Sequence, residues 1–381
     1  MKRVSGFPAN IRHLQYLKWA GKVVLILWLT ALIAEITIFI FAPNEMMGWG
    51  EKPSLRPDPL FGWRLIESKT TRLRWQGYDY VVTSNSLGFP GPKYAANKPP
   101  SVYRIMTVGS AFTSAEGVNT ARAWPRVLEL ILNQRGVDQT VEVMNFAVTG
   151  YGPSQYAAVM EEFAPVYRPD AIIVTMIPND LKKVMAPFSK RVKGIGFDRP
   201  NPNGVFAILT CQHFLRSTKS YARRIFYESI KRRPDPLGYF LGQIWAIERD
   251  QHHLFEESRP ALEEHLTALR TVADQLGSRL ILLLVPASVQ VCSPEQLRYF
   301  PKLLELSDST RFDLDQPQHW LAGSAVRLGI EHYDLRDEFN LTPDQCFYHP
   351  NNMHWSEEGH QVVAEFIAGR LAITTEDGNP E

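Results

Sequence analysis

Three cysteines in 381 residues, Cys211, Cys292 and Cys346, are too few and too widely spaced to form a metal knuckle. His252-His253 and His265 lack further ligands at useful spacing, so no metal is expected. The chain also has no internal repeat and no glycine-rich nucleotide fingerprint, and no cofactor is expected. A dominant charge is missing as well: 41 Lys and Arg face 40 Asp and Glu, a net +1. Residues 1–42 hold Lys2, Arg3, Arg12, Lys18 and Lys22 against Glu35 alone, which leaves the remainder mildly acidic. Such a body offers nothing for nucleic acid to bind.

One long apolar run is present. Val23 to Ala42 reads VVLILWLTALIAEITIFIFA, and about 20 such residues span a bilayer as a helix. The basic flank lies wholly before it, so residues 1–22 are expected in the cytoplasm and the rest outside. A cleaved signal peptide is the alternative, but the leader is long and the exit Phe41-Ala42-Pro43-Asn44-Glu45 has no small-x-small site. Glu35 inside the span either meets a partner helix or is protonated or turned to the outer interface. An exported domain leaves room for one disulfide, with the pairing open; small buried thiols are the other reading.

Residues 43–100 are rich in Pro and Gly and read as an extended collar between membrane and domain. From residue 101 to 373 strand and helix patterns alternate. Strands are expected at Tyr103–Val108, Val141–Asn145, Ala171–Met176, Arg279–Val285 and near His332–Leu335; helices at Ala123–Arg135, Pro153–Phe163, about 259–277, about 317–328 and Glu357–Leu371. The fold class expected is a three-layer α/β/α sandwich on a mostly parallel, doubly wound sheet. Residues 182–257 break the rhythm and read as an insertion over one face; residues 374–381 are a tail. The basic residues of the insertion, Arg191, Lys193, Arg223, Arg224, Lys231, Arg232 and Arg233, read as solvated surface, with a polyanionic glycan or lipid headgroup as the sharper alternative. Trp63, Trp75 and Trp245 are expected in core or collar packing before sugar stacking.

In such a sheet, ligands bind beyond the carboxyl ends of the strands. Four segments fall there: Gly109-Ser110-Ala111, Asn145 to Gly152, Pro178-Asn179-Asp180, and His354-Trp355-Ser356-Glu357-Glu358-Gly359-His360. With Asn85-Ser86-Leu87-Gly88-Phe89 ahead of them, they resemble in order and spacing the blocks of the SGNH/GDSL hydrolases, membrane-anchored type, over about residues 85–370. The resemblance implies Gly150 (backbone N–H) and Asn179 (side-chain amide) as oxyanion donors and His354 as general base.

The departures concern the chemistry itself. Where the family reads Gly-Asp-Ser-Phe-Thr, this chain has Ser110 at the aspartate position and Ala111 at the nucleophile position. Loss of the serine alone costs about a millionfold in hydrolases of this logic. The acid two or three residues before the histidine is replaced by Asn352 and Asn351, and an Asp-to-Asn change of that kind costs about ten-thousandfold. The expectation is therefore a catalytically impaired protein, kept as a binding or assembly subunit for an envelope glycan or a membrane-bound acyltransferase. The alternative is an active esterase or acyltransferase using a relocated nucleophile such as Ser110 with His354. His360 is expected to pack structurally behind the last helix.

Overall fold

The computed structural model describes residues 15–16, 18–30, 33, 55–75, 78–135, 139–185, 245–297, 305–342, 344–350 and 352–371. Cys211, Glu35, Asn351, most of the expected insertion (186–244) and residues 31–32 and 34–42 of the expected span lie outside them. Contacts divide the chain into two units, residues 1–49 with 202–222, and residues 50–201 with 223–381. In the first, residues 18–30 are helical, Val23 through Leu29 are exposed, and Thr30 bonds back to the Ile26 carbonyl at 2.8 Å. Among the described residues no helix is long and apolar enough to cross a membrane.

The second unit opens with a correction to the expected extended collar. Strands β1 (Leu55–Asp58) and β2 (Gly62–Leu65) form one antiparallel hairpin, and β3 (Thr70–Trp75) and β4 (Tyr78–Thr83) form another. Many of the prolines and glycines that suggested a collar serve as turn residues. At the Pro57-Asp58-Pro59 corner, the Asp58 carboxylate accepts from the amides of Leu60 and Phe61, both at 2.9 Å. Gly88 has φ +75, and a Cβ there would collide with the Leu65 carbonyl, so the sharp return to Phe89 needs glycine. The residues between the turns alternate: Leu73, Tyr80 and Val82 bury a small core with Leu65, while Phe61, Trp63 and Phe89 join the main one.

Five parallel strands then build the central sheet: β5 (Val102–Val108), β6 (Thr140–Asn145), β7 (Ala171–Met176), β8 (Arg279–Leu284) and β9 (Glu331–Asp334). Their order is β6-β5-β7-β8-β9, a doubly wound sheet whose winding reverses between β5 and β7. The period of two along each strand explains why unbroken apolar runs form two separate cores. Met106, Val108, Ile172, Val174, Met176, Leu282 and Leu284 face one side, and Ile105, Val143, Ile173, Ile281 and Leu283 the other. Each fully buried aliphatic contributes about 1.5–3 kcal/mol.

The eight helices labelled here are α1 (Ala111–Ser114), α2 (Trp124–Gln134), α3 (Pro153–Tyr167), α4 (Asp180–Met185), α5 (His252–Leu276), α6 (Gln316–Arg327), α7 (Leu335–Phe339) and α8 (Glu357–Ala368). α2 packs on α8, and α3 and α4 pack on α5, so helices cover both faces. This is the α/β sandwich expected, and the strand expected at Ala171–Met176 has those bounds. α5 begins seven residues before the expected 259 despite Pro260 within it. A disulfide joins Cys292 to Cys346, with Cα atoms 5.1 Å apart.

Candidate functional site

The four segments singled out in the sequence meet at the carboxyl edge of the sheet, and each is held by groups its own residues supply. β5 is followed by Gly109, where an added Cβ would collide with Thr113 Oγ1 and Thr175 Oγ1. Those two hydroxyls bond each other at 2.6 Å, which fixes the α1 turn against β7. α1 stops after four residues because Ala115 is left-handed, with φ 62 and ψ 52. Gly117 follows with φ +95, and a Cβ there would approach His349 Nε2 to 2.9 Å.

Asn145, at the end of β6, donates from Nδ2 to the Thr113 carbonyl at 2.7 Å, tying the first segment to the second. Ser114 Oγ lies 3.2 Å from Thr149 Oγ1. The first hairpin buttresses the same loop: Trp63 Nε1 donates to the Thr149 carbonyl at 3.0 Å, and Tyr151 donates its hydroxyl to the Trp63 carbonyl at 2.6 Å. Gly150 between them has φ +87. Beyond β7, the buried Asp180 accepts from the Ile177 amide at 3.1 Å and from Lys183 Nζ at 2.8 Å. Lys183 also donates to the Tyr151 carbonyl at 2.5 Å, locking the third segment to the second. Asn179, half-buried, precedes α4.

His354 is presented by a tight loop. The His349 amide donates to the His354 carbonyl at 2.8 Å, and the Ser356 amide to the Phe347 carbonyl at 2.9 Å. Ser356 then caps α8 through the Gly359 amide at 3.2 Å. Phe112 of α1 lies against the imidazole, ring centroids 5.4 Å apart, and His354 is only 4% exposed. Its Nε2 stands 3.9 Å from Glu116 Oε2. Burial holds the His354 pKa below the ordinary histidine value; Glu116 pulls it up and Lys183 pushes it down. His349, under the Tyr78 ring at 3.8 Å between centroids, is pushed down to about 4 by burial and by His354. His360 is pushed down to about 3 by burial and accepts from the Trp124 amide at 3.2 Å, capping α2 from behind α8.

Of the residues expected to react, Ala111 opens α1 at 8% exposure. Ser110, beside it, is 2% exposed, and among the described residues no hydrogen bond joins it to His354. Asn352 accepts the His354 backbone amide at 2.8 Å, so its side chain shapes the loop. Glu116, His349 and Lys183 were not anticipated. Glu116 could have been found, since it lies in the same block as Ala111; the nearness of His349 and Lys183 to the imidazole depends on loop closure and on the turn of α4.

No family model matches the chain, and no curated protein matches it. Solved structures similar to it include one described as a lipolytic protein of the G-D-S-L family from Desulfitobacterium hafniense DCB-2 (12% identity, 70% of this chain and 99% of that one, TM-score 0.38). An acetyl xylan esterase shows 11% identity over 70% of this chain and 99% of its own, TM-score 0.38. A catalytic mutant of an acetylxylan esterase from Geobacillus stearothermophilus shows 13% identity over 70% and 92%, TM-score 0.37. The solved structures this chain is similar to thus include a lipolytic protein of the G-D-S-L family and acetyl xylan esterases, at a level of likeness that lends no weight to an activity.

Proposed function

We propose that this chain is a membrane-anchored SGNH-type protein whose carboxyl-edge site binds an envelope glycan without hydrolysing it, in support of a membrane-bound acyltransferase. The observation that carries the reading is the methyl group of Ala111 where an acyl-transfer site needs a hydroxyl. The neighbouring hydroxyls are committed elsewhere, Thr113 to Thr175 and Ser114 to Thr149. The imidazole Nε2 faces a carboxylate, which cannot be deprotonated to a nucleophilic alkoxide. Ser110 as a relocated nucleophile gains no support from its burial. An outside location is supported by the Cys292–Cys346 disulfide, which oxidising compartments favour. Anchoring is supported by the exposed apolar side chains of residues 23–29 and by the basic residues confined to the flank before the apolar run.

The test uses the full chain in detergent micelles with a fluorophosphonate probe and a chromogenic acetyl ester. No labelling and no turnover above background are expected, whereas Ala111→Ser acquires slow labelling that His354→Ala abolishes. Labelling of any residue in the unaltered protein overturns the proposal.

A further inference from the structure

At this edge the carboxylate of Glu116 has no ionic partner within hydrogen-bonding distance among the described residues. Its side chain is 10% exposed, and Oε2 is buried with no hydrogen-bond partner among the described residues. The position is built in by the chain: the Glu116 amide donates to the Ala111 carbonyl at 3.0 Å, so the carboxylate sits on the same turn as the missing nucleophile. His354 Nε2 at 3.9 Å is beyond hydrogen-bonding distance. Burial keeps that imidazole neutral near pH 7, and Lys183 adds to the effect. The Lys183 ammonium is spent on Asp180 and the Tyr151 carbonyl.

We infer that the site selects a ligand bearing free hydroxyl groups over its acylated form, with the Glu116 carboxylate accepting a hydrogen bond from a ligand hydroxyl. This rests on the reading of the site as glycan-binding and adds which state of the glycan it holds. An ionised carboxylate only accepts hydrogen bonds, and an ester offers only acceptors, so the two have nothing to exchange. A sugar hydroxyl donates, and its hydrogen bond to a charged acceptor is of the stronger kind. A fixed negative charge beside position 111 also opposes the oxyanion that ester attack would develop, so the carboxylate acts against turnover while favouring the de-acylated sugar. Buried polar atoms without partners are rare in folded proteins, and a ligand is one thing that completes them.

The experiment uses the full chain in micelles, unsubstituted xylo- and cello-oligosaccharides, and their per-O-acetylated counterparts, with calorimetry and saturation-transfer NMR. An unsubstituted oligosaccharide is expected to bind at least tenfold more tightly than its acetylated form. Glu116→Gln, which keeps the shape and removes the charge, is expected to erase that preference through a tenfold or greater loss, with no fall in melting temperature. Equal or tighter binding of the acetylated form, or an unchanged affinity in Glu116→Gln, overturns the inference while glycan binding stands. Binding by none of the four overturns this inference and the glycan reading together.

Discussion

Buried charge is paired at the amino edge of the central sheet and only partly paired at the carboxyl edge, where Asp180 meets Lys183 and Glu116 meets no partner within hydrogen-bonding distance among the described residues. At the amino edge, Arg104 is 0% exposed and still fully engaged. It donates to Glu142 at 2.8 and 2.6 Å, to the Tyr167 carbonyl at 2.8 Å and to the Ala95 carbonyl at 3.0 Å. Asp170 there accepts the Arg104 amide at 2.7 Å and pairs with Lys98, and Arg279 forks onto Glu331. At the carboxyl edge, Glu116 Oε2 and Asn352 Nδ2 are buried with no hydrogen-bond partner among the described residues. Leaving such a group unsatisfied costs about 1–3 kcal/mol, and more if charged. One edge is finished for stability. The other is left open where doubly wound sheets receive ligands.

The sharpest way to break this contrast is Arg104→Ala, which strands Glu142 and two carbonyls. It should lower the unfolding free energy by about 3–5 kcal/mol in a denaturant titration. Acid comes next, through two histidines near the carboxyl edge. His349 and His360 are depressed in the fold to about 4 and about 3, from 6.5. The unfolded chain therefore takes up protons first, and stability present above pH 6.5 is lost as pH falls through that window. Each histidine should remove about 2 kcal/mol between pH 7 and pH 5, and His349→Phe should flatten the profile measured by urea unfolding at both values. A smaller effect of opposite sign to Arg104→Ala is expected from Glu116→Gln: removing an unpaired buried charge should raise stability by about 1 kcal/mol or less. A loss as large as that of Arg104→Ala would show that the two edges are alike. Smallest is Ala115→Gly, which relieves a left-handed alanine at φ 62. After allowing for the greater freedom of unfolded glycine, about 0.5–1 kcal/mol should be gained, read as a rise in melting temperature.

Most strands of the sheet were legible because their apolar runs are short, β-prone and closed by Gly, Pro or Asn. The hairpins of residues 55–83 were not, because their strands are short and carry charge: LRPD, TTRLRW and YDYVVT do not look like core until Arg72 pairs with Asp79 and the alternate residues turn inward. The place of His354 could be read from the motif around it. Its approach to a carboxylate could not, because Glu116, although it shares a block with Ala111, reaches the imidazole only through the fold from a segment far away in the chain. Asn352 has the right position in the sequence and a different task, since its side chain reaches its own loop's backbone before it could reach the ring.

Composition and order along the chain were enough to determine a layered α/β domain, an apolar stretch beside a basic leader, and the absence of a hydroxyl at position 111. These are properties of single residues or of local periodicity, and they survive without knowing what touches what. Which buried charges are neutralised, which histidines stay neutral, and which cysteines join depend on approaches between segments that share no sequence proximity. Only the packing of β5, β7 and the 347–356 loop brought a carboxylate into the space facing the imidazole.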